Sequence, residues 1–224
     1  MGTRSLLVAG ACLVGQLACA QSVPARSFML GPSVGIDQLL YVNSAEYVGS
    51  PTYSSPSSLN VGIDASYQVN RLLIGTKVLY TNRLSRVKSP IHPPNPEDYV
   101  SATETDLHVL TVPLSMGYRL THEGRFQWFI GGNVGVEYLL SNSRTRYYMG
   151  DDTVLGTVQL SKSDFGKSVN IGYGVQTTLR YQLTPLIGLQ AEPALRYYPR
   201  GGFPTKLYNN YQFQSTFAIL VNIG

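Results

Sequence analysis

Cysteine is almost absent from this chain. Cys12 and Cys19 are the only two among 224 residues, and both fall in a leader made of Arg4, the apolar stretch Leu6 to Leu17 and Ala18-Cys19-Ala20 before Gln21. A basic start, an apolar middle and a small-x-small end mark a secretory signal peptide. Residues 1–20 are therefore read as a signal peptide and 21–224 as the mature domain. About 12 apolar residues are too few for an uncleaved anchor to span a bilayer. Gln16 stands where a lipoprotein signal ending at Cys19 would carry an aliphatic residue. The mature chain then has no disulfide, no thiol nucleophile and no cysteine-based metal site.

Other absences narrow the reading further. No stretch after the leader is long and apolar enough for a transmembrane helix, so entry into a membrane would have to be by strands. Charged residues make up only 13% of the chain, the formal net charge is +4, and no run of Lys and Arg suggests nucleic acid as a partner. Histidine is scarce: His92 lies in Pro90-Ile-His-Pro-Pro94, His108 near a strand start and His122 in a short turn. These positions cannot readily converge with Ser, Asp or Glu, so a catalytic constellation cannot be assembled. Asp151-Asp152, between Gly150 and Thr153, lacks further acidic ligands in register for a metal. Gly131, Gly132 and Gly135 are followed by no helix that would make them a phosphate loop, and strand curvature with a crowded interior explains them better. The expectation is a non-enzyme with no cofactor and no metal.

What the chain has in abundance is alternation. In Phe126 to Leu140, the residues Phe126, Trp128, Ile130, Val134, Val136, Tyr138 and Leu140 share one face of a strand. Gln127, Gly131, Asn133, Gly135 and Glu137 share the other. The same pattern recurs, giving eight strands near Phe28 to Val42, Leu59 to Val69, Leu72 to Leu84, Asp106 to Leu120, Phe126 to Leu140, Val169 to Gln182, Leu186 to Tyr198 and Tyr211 to Ile223. Short turns at Asn70-Arg71, Thr121 to Arg125 and Leu183 to Pro185 alternate with long polar segments at 43–58, 85–105, 141–168 and 199–210. Closure is the only way a sheet can satisfy its backbone inside a bilayer. The fold class expected is all-β: an eight-stranded antiparallel up-and-down transmembrane β-barrel. Short turns and both termini would be periplasmic and long connections external.

The phase of the alternation places Asp37, Asp64, Lys77, Arg119, Glu137, Arg180, Glu192 and Arg196 inward as a lumen charge network, with Arg83 nearer the rim. No charge falls on the outward face, whose polar exceptions are Gln38, Thr76, Asn82, His108, Thr177 and Ser215. An Arg or Lys facing lipid at the midplane costs about 2–4 kcal/mol, which accounts for the one-sidedness. Aromatic residues gather near both strand ends, as interfacial girdles require: Phe28, Tyr67, Tyr118, Phe126, Trp128 and Tyr181 at one, and Tyr80, Tyr138, Tyr197, Tyr211 and Phe213 at the other. A soluble barrel or sandwich would turn its apolar face inward and spread charge outside. An eight-stranded interior is only wide enough to be filled by side chains, so a closed polar core is expected over a small pore. Binding, where it occurs, would use the long connections, through Tyr47, Tyr53, Tyr99, Arg144, Arg146, Tyr147, Tyr148 and Tyr208.

Four motifs carry a resemblance: Ala18-Cys19-Ala20-Gln21, Leu110-Thr-Val-Pro-Leu-Ser-Met-Gly-Tyr-Arg-Leu120, Trp128-Phe-Ile-Gly-Gly-Asn-Val-Gly-Val136 and Leu189-Gln-Ala-Glu-Pro-Ala-Leu-Arg-Tyr197. Through them nearly the whole mature chain resembles the small outer-membrane β-barrel domain family of Bacteroidota, called PorT-like. The resemblance implies an envelope protein with a structural or loop-mediated binding role. It leaves open an accessory part in secretion or envelope assembly, and also a rim-site lipid-modifying enzyme. The expected partners are outer-membrane lipid and lipopolysaccharide, with periplasmic chaperones and the barrel-assembly machinery during biogenesis.

Overall fold

The computed structural model describes residues 26–40, 52–54, 56–88, 100–122, 124–148, 154–159, 168–199 and 211–223. The signal-peptide assignment falls outside them. The strands are β1 (Arg26–Leu40), β2 (Thr52–Ser54), β3 (Ser58–Val69), β4 (Leu72–Lys88), β5 (Val100–Arg119), β6 (Phe126–Tyr148), β7 (Val154–Gln159), β8 (Val169–Gln182), β9 (Ile187–Tyr197) and β10 (Tyr211–Asn222). Eight of them form a ring in the order β1-β3-β4-β5-β6-β8-β9-β10, with every neighbour antiparallel and β10 returning to β1. This is a closed up-and-down barrel. Asn70, with φ of 54°, makes the sharp turn between β3 and β4, a left-handed conformation that Asn tolerates better than most residues. The start of β1 and the end of β10 both lie at the short-turn end, where the Ile223 amide donates to the Phe28 carbonyl and the Asn222 amide to that of Leu186.

The strands do not stop where the apolar alternation stops. β4, β5 and β6 have 17, 20 and 23 residues, against 11 to 15 for the other five strands of the ring. Segments expected as connections at 85–105 and 141–168 are thus partly strand. Above the level where β3 leaves β4, the short β2 takes over its edge, pairing Thr52 with Lys88 and Ser54 with Arg86. Where β8 ends beside β6, β7 continues the ladder, pairing Ser143 with Gln159 and Arg144 with Val158. The result is a wall of five strands, β2-β4-β5-β6-β7, standing on one side of the barrel mouth. Its sequence, such as Ser141-Asn-Ser-Arg-Thr-Arg-Tyr-Tyr148, is β-prone through Thr and Tyr but polar on both faces. Outside the hydrocarbon, hydrophobic alternation has no reason to persist.

A proline interrupts the ladder at three seams. Proline has no amide hydrogen to donate, and in an antiparallel strand each residue's N–H and C=O point to the same neighbour. β1–β10 pairing skips Gly31 and Pro32, β4–β5 pairing breaks around Pro113, and β8–β9 pairing breaks around Pro193. On their other sides the prolines stay in register, opposite Ile63, Gly135 and Ser215. A side chain compensates in part: Thr76 Oγ1 donates to the Pro113 carbonyl at 3.1 Å.

The outer face of the barrel is an apolar belt. Leu59, Ile63, Leu114, Ile130, Val134, Val175, Phe217 and Ile219 all expose their side chains. At about 3.3 Å per residue and a tilt of about 40°, the path from Phe126 to Tyr138 on β6 rises about 30 Å, the thickness of a hydrocarbon core. Tyr173, Tyr197 and Tyr211 touch in sequence around the rim, with ring centroids 5.7 and 5.3 Å apart. Several polar residues on this face are bonded to the protein. Thr177 Oγ1 donates to the Phe129 carbonyl at 3.0 Å and accepts from the Trp128 indole at 2.6 Å, and His108 Nδ1 bonds the Tyr80 hydroxyl. One expectation is corrected here. The outward face of the expected fourth strand does carry a charge: Asp106, opposite Leu84, faces outward, and it belongs with Arg86 and Glu104 to the wall above the belt, where charge is solvated.

The belt can be checked by substitution. Val134→Arg is expected to lower unfolding free energy by about 2–4 kcal/mol in urea titrations of vesicle-inserted protein. Ser143→Arg, on the outward side of the wall, is expected to change it by less than about 0.5 kcal/mol.

Candidate functional site

Two regions hold chemistry: the lumen and the inner face of the wall. Below the wall, every other residue of each barrel strand points inward, and the nine charged residues in that phase there, Asp37, Asp64, Lys77, Arg83, Arg119, Glu137, Arg180, Glu192 and Arg196, are buried. Glycine makes space for the largest of them. A Cβ on Gly135 would stand 3.1 Å from Arg196 Nε, and one on Gly172 would stand 2.6 Å from the Tyr198 ring.

The charges gather into two clusters, each built on a cation of β4. Towards the short-turn end, Lys77 Nζ lies 3.1 Å from Asp64 and 2.9 Å from Glu192, and it donates to Thr216 Oγ1 at 2.5 Å. Gln190 Nε2 donates to Asp64 at 3.0 Å, while Gln190 Oε1 accepts from Arg180 Nη2 at 2.7 Å. Arg180 also donates to Ser66 Oγ at 2.8 Å and to Gln68 Oε1 at 3.3 Å. Towards the wall, Arg83 Nη2 lies 2.7 Å from Asp37 and 2.9 Å from Glu137. Gln212 Nε2 donates to both oxygens of Asp37, at 2.9 and 2.8 Å, and Gln212 Oε1 accepts from the Tyr198 hydroxyl at 2.6 Å. Arg196 donates to Asn133 Oδ1 at 2.6 Å and Gln214 Oε1 at 2.8 Å.

This pattern differs from a simple opposition of bases and acids. Arg83, expected nearer the rim, is fully enclosed and holds one of the two clusters, because the wall continues β4 beyond it. The four carboxylates are shared between Lys77 and Arg83, whereas Arg180 and Arg196 bond to amide and hydroxyl oxygens. Arg119 is buried near the end of β5, beside the short turns. The glutamines escaped a reading that tracked charges alone, although Gln68, Gln190, Gln212 and Gln214 occupy the inward phase and were findable by it. Two apolar patches interrupt the polar interior: Met29, Ala218 and Leu220 towards the short turns, and Leu107, Val109 and Leu139 towards the wall.

Of the residues expected in binding loops, Tyr47, Tyr99 and Tyr208 lie outside the described residues. The others are on strands. Tyr53 is on β2 opposite Val87, and Arg144, Arg146, Tyr147 and Tyr148 are on β6 opposite Thr105, Thr103, Ala102 and Val100. His108 is on the outer face and His122 is exposed in the β5–β6 turn. Among the described residues, no three His, Cys, Asp or Glu converge as metal ligands.

Removing the cation from a cluster leaves two buried carboxylates without compensation. Arg83→Ala is therefore expected to cost about 3–5 kcal/mol in the same titration. Gly172→Val, which drives a side chain into the Tyr198 ring, is expected to cost about 1–3 kcal/mol by overpacking.

Solved structures similar to this chain include Neisserial surface protein A, at 16% identity over 88% of this chain and 96% of that one, with a TM-score of 0.45. OprG from Pseudomonas aeruginosa has 14% identity over 88% and 93%, with a TM-score of 0.44. Ail, the attachment invasion locus protein of Yersinia pestis, has 8% identity over 88% and 95%, with a TM-score of 0.39. No curated protein matches the chain in sequence. The family model described as "Outer membrane protein beta-barrel domain" matches residues 19–199. That stretch is well over half of the chain and takes in nine of its ten strands, and the chain therefore belongs to the outer membrane protein beta-barrel domain family.

Proposed function

We propose that this protein is a closed barrel of the bacterial outer membrane, structural in its lumen and binding through its wall, with the wall outside the cell and both termini in the periplasm. The observation that carries the reading is the division of polar chemistry between the two regions. Within the barrel, buried carboxylates are tied to Lys77 and Arg83 across an interior that eight strands make only wide enough for side chains. Beyond the apolar belt, β4, β5 and β6 rise on one side only and carry polar residues on both faces. A rigid barrel that presents such a surface suits recognition rather than conduction. The orientation follows the habit of outer-membrane barrels, whose short turns face the periplasm. Lipid and lipopolysaccharide are the partners of the belt, and periplasmic chaperones and the assembly machinery those of the unfinished chain. The reading includes no enzymatic role.

Two measurements test it. On intact cells, a membrane-impermeant maleimide is expected to label Lys88→Cys on the wall, and to label His122→Cys in the β5–β6 turn only after the outer membrane is opened. Planar-bilayer recordings of the native protein are expected to show no large steady conductance. Labelling of His122→Cys in intact cells would reverse the orientation. Reproducible openings whose ion selectivity changes with Lys77→Gln would make the lumen a pore.

A further inference from the structure

The register of β6 against β5 shifts by one residue at the level where the barrel becomes the wall. Val109 pairs with Leu139, but His108 pairs with Ser141, so Leu140 is an extra residue on β6. Leu140 and Ser141 both face outward, and from Asn142 onward the inward phase moves from odd to even positions. A β-bulge of this kind re-aims side chains. Here it turns Asn142 and Arg144 to the inner face and Ser143 to the outer one. Without it, the small hydroxyls of Ser141 and Ser143 would face in, and the amide and guanidinium would face out.

The side chains so turned have unused hydrogen-bonding groups. Asn142 is only 5% exposed, yet neither its Nδ2 nor its Oδ1 has a partner. Arg144 Nε is likewise buried without one, although the residue as a whole is half-buried and keeps part of its surface accessible. Opposite them on β5 stand Leu107 and Thr105. Glu137 and Asp37 are paired with Arg83, and Glu104 with Arg86 on the outer face. Buried amides and guanidinium N–H groups left unpaired are costly and call for a partner.

We infer that Asn142 and Arg144 form a ligand subsite at the base of the wall for a hydroxylated organic acid, such as the uronic acid unit of an acidic glycan. Arg144 Nε–H and Asn142 Nδ2–H supply donors for an oxyanion. Asn142 Oδ1 supplies an acceptor, which an anion alone would leave unsatisfied and an adjacent hydroxyl would fill. The inference deepens the reading of the wall as the binding end and rests on it.

The test is calorimetric titration of the full mature protein in detergent micelles with sodium glucuronate, with glucose and propionate as probes that lack the carboxylate and the hydroxyls respectively. Saturable glucuronate binding is expected, with glucose and propionate weaker by about tenfold or more. Arg144→Gln and Asn142→Leu are expected to weaken glucuronate about ten- to a hundredfold. Asn142→Asp, nearly isosteric, should abolish it by setting like charge against the ligand. Heat-dependent gel mobility confirms that each variant is a folded barrel, and the near-isosteric Asn142→Asp stands as the decisive variant if Asn142→Leu fails to fold. No saturable glucuronate binding, equal binding of all three probes, or binding unchanged in Arg144→Gln and Asn142→Asp would overturn the subsite. Any of these results, with surface labelling and absent conductance intact, would leave the wall as a binding surface for another ligand. A conducting lumen or reversed labelling would instead remove the reading on which the subsite rests.

Discussion

Four carboxylates enclosed where water is scarce must be met by donors held in fixed places, and one strand provides the cations that meet them. Lys77 and Arg83 both project from β4, and between them they reach Asp64 on β3, Glu192 on β9, Asp37 on β1 and Glu137 on β6. Three of these contacts join strands that are not neighbours, and Lys77–Glu192 spans the full ring. The length of a lysine or arginine side chain therefore sets how wide the ring can be, and a broader barrel would leave the carboxylates stranded. Glycine at 135 and 172, the glutamines that donate to the acids, and the commitment of Arg180 and Arg196 to neutral oxygens all follow from packing this lattice into so narrow a space.

Outside the lumen the governing requirement passes to the backbone. Hydrocarbon offers an amide no alternative partner, so the ring must close and each lapse in the ladder needs an answer. Thr76 supplies one at Pro113. The Trp128–Thr177–Phe129 chain shows the same economy applied to side chains, since the Trp128 indole and the Thr177 hydroxyl are both turned back to the protein. Where the strands leave the belt the requirement lapses, and Arg86, Glu104 and Asp106 appear on a face that carries no charge within the belt.

The barrel was legible because lipid imposes a repeating penalty, and a period of two written eight times is hard to produce otherwise. The penalty is blind above the membrane, which is why β2, β7 and the upper parts of β4, β5 and β6 left no trace in the alternation and why Asp106 stands on an outward face expected to carry no charge. Within the lumen, the phase of each strand could be read but the stagger between strands could not. Arg83 thus looked peripheral until the register of β4 against β5 placed it beside Leu107. The Leu140 bulge is a deeper case. A single extra residue inverts the facing of everything after it, and nothing in Leu139-Leu-Ser-Asn142 announces which residue is extra.

The interrupted seam between β1 and β10 has a bearing on how the ring is finished. These strands come from opposite ends of the chain, and their contacts join residues as far apart as Asp37 and Gln212, separated by 175 positions. Contacts so distant in sequence form late, because loop-closure entropy must be met before they return anything. At that seam the ladder lacks the bonds that Pro32 cannot make. The Asp37 carboxylate on β1 instead grips the Gln212 amide on β10 by two hydrogen bonds. Interior chemistry thus acts as a clasp on the joint that closes the ring, bridging the two ends of the chain where the backbone ladder is broken.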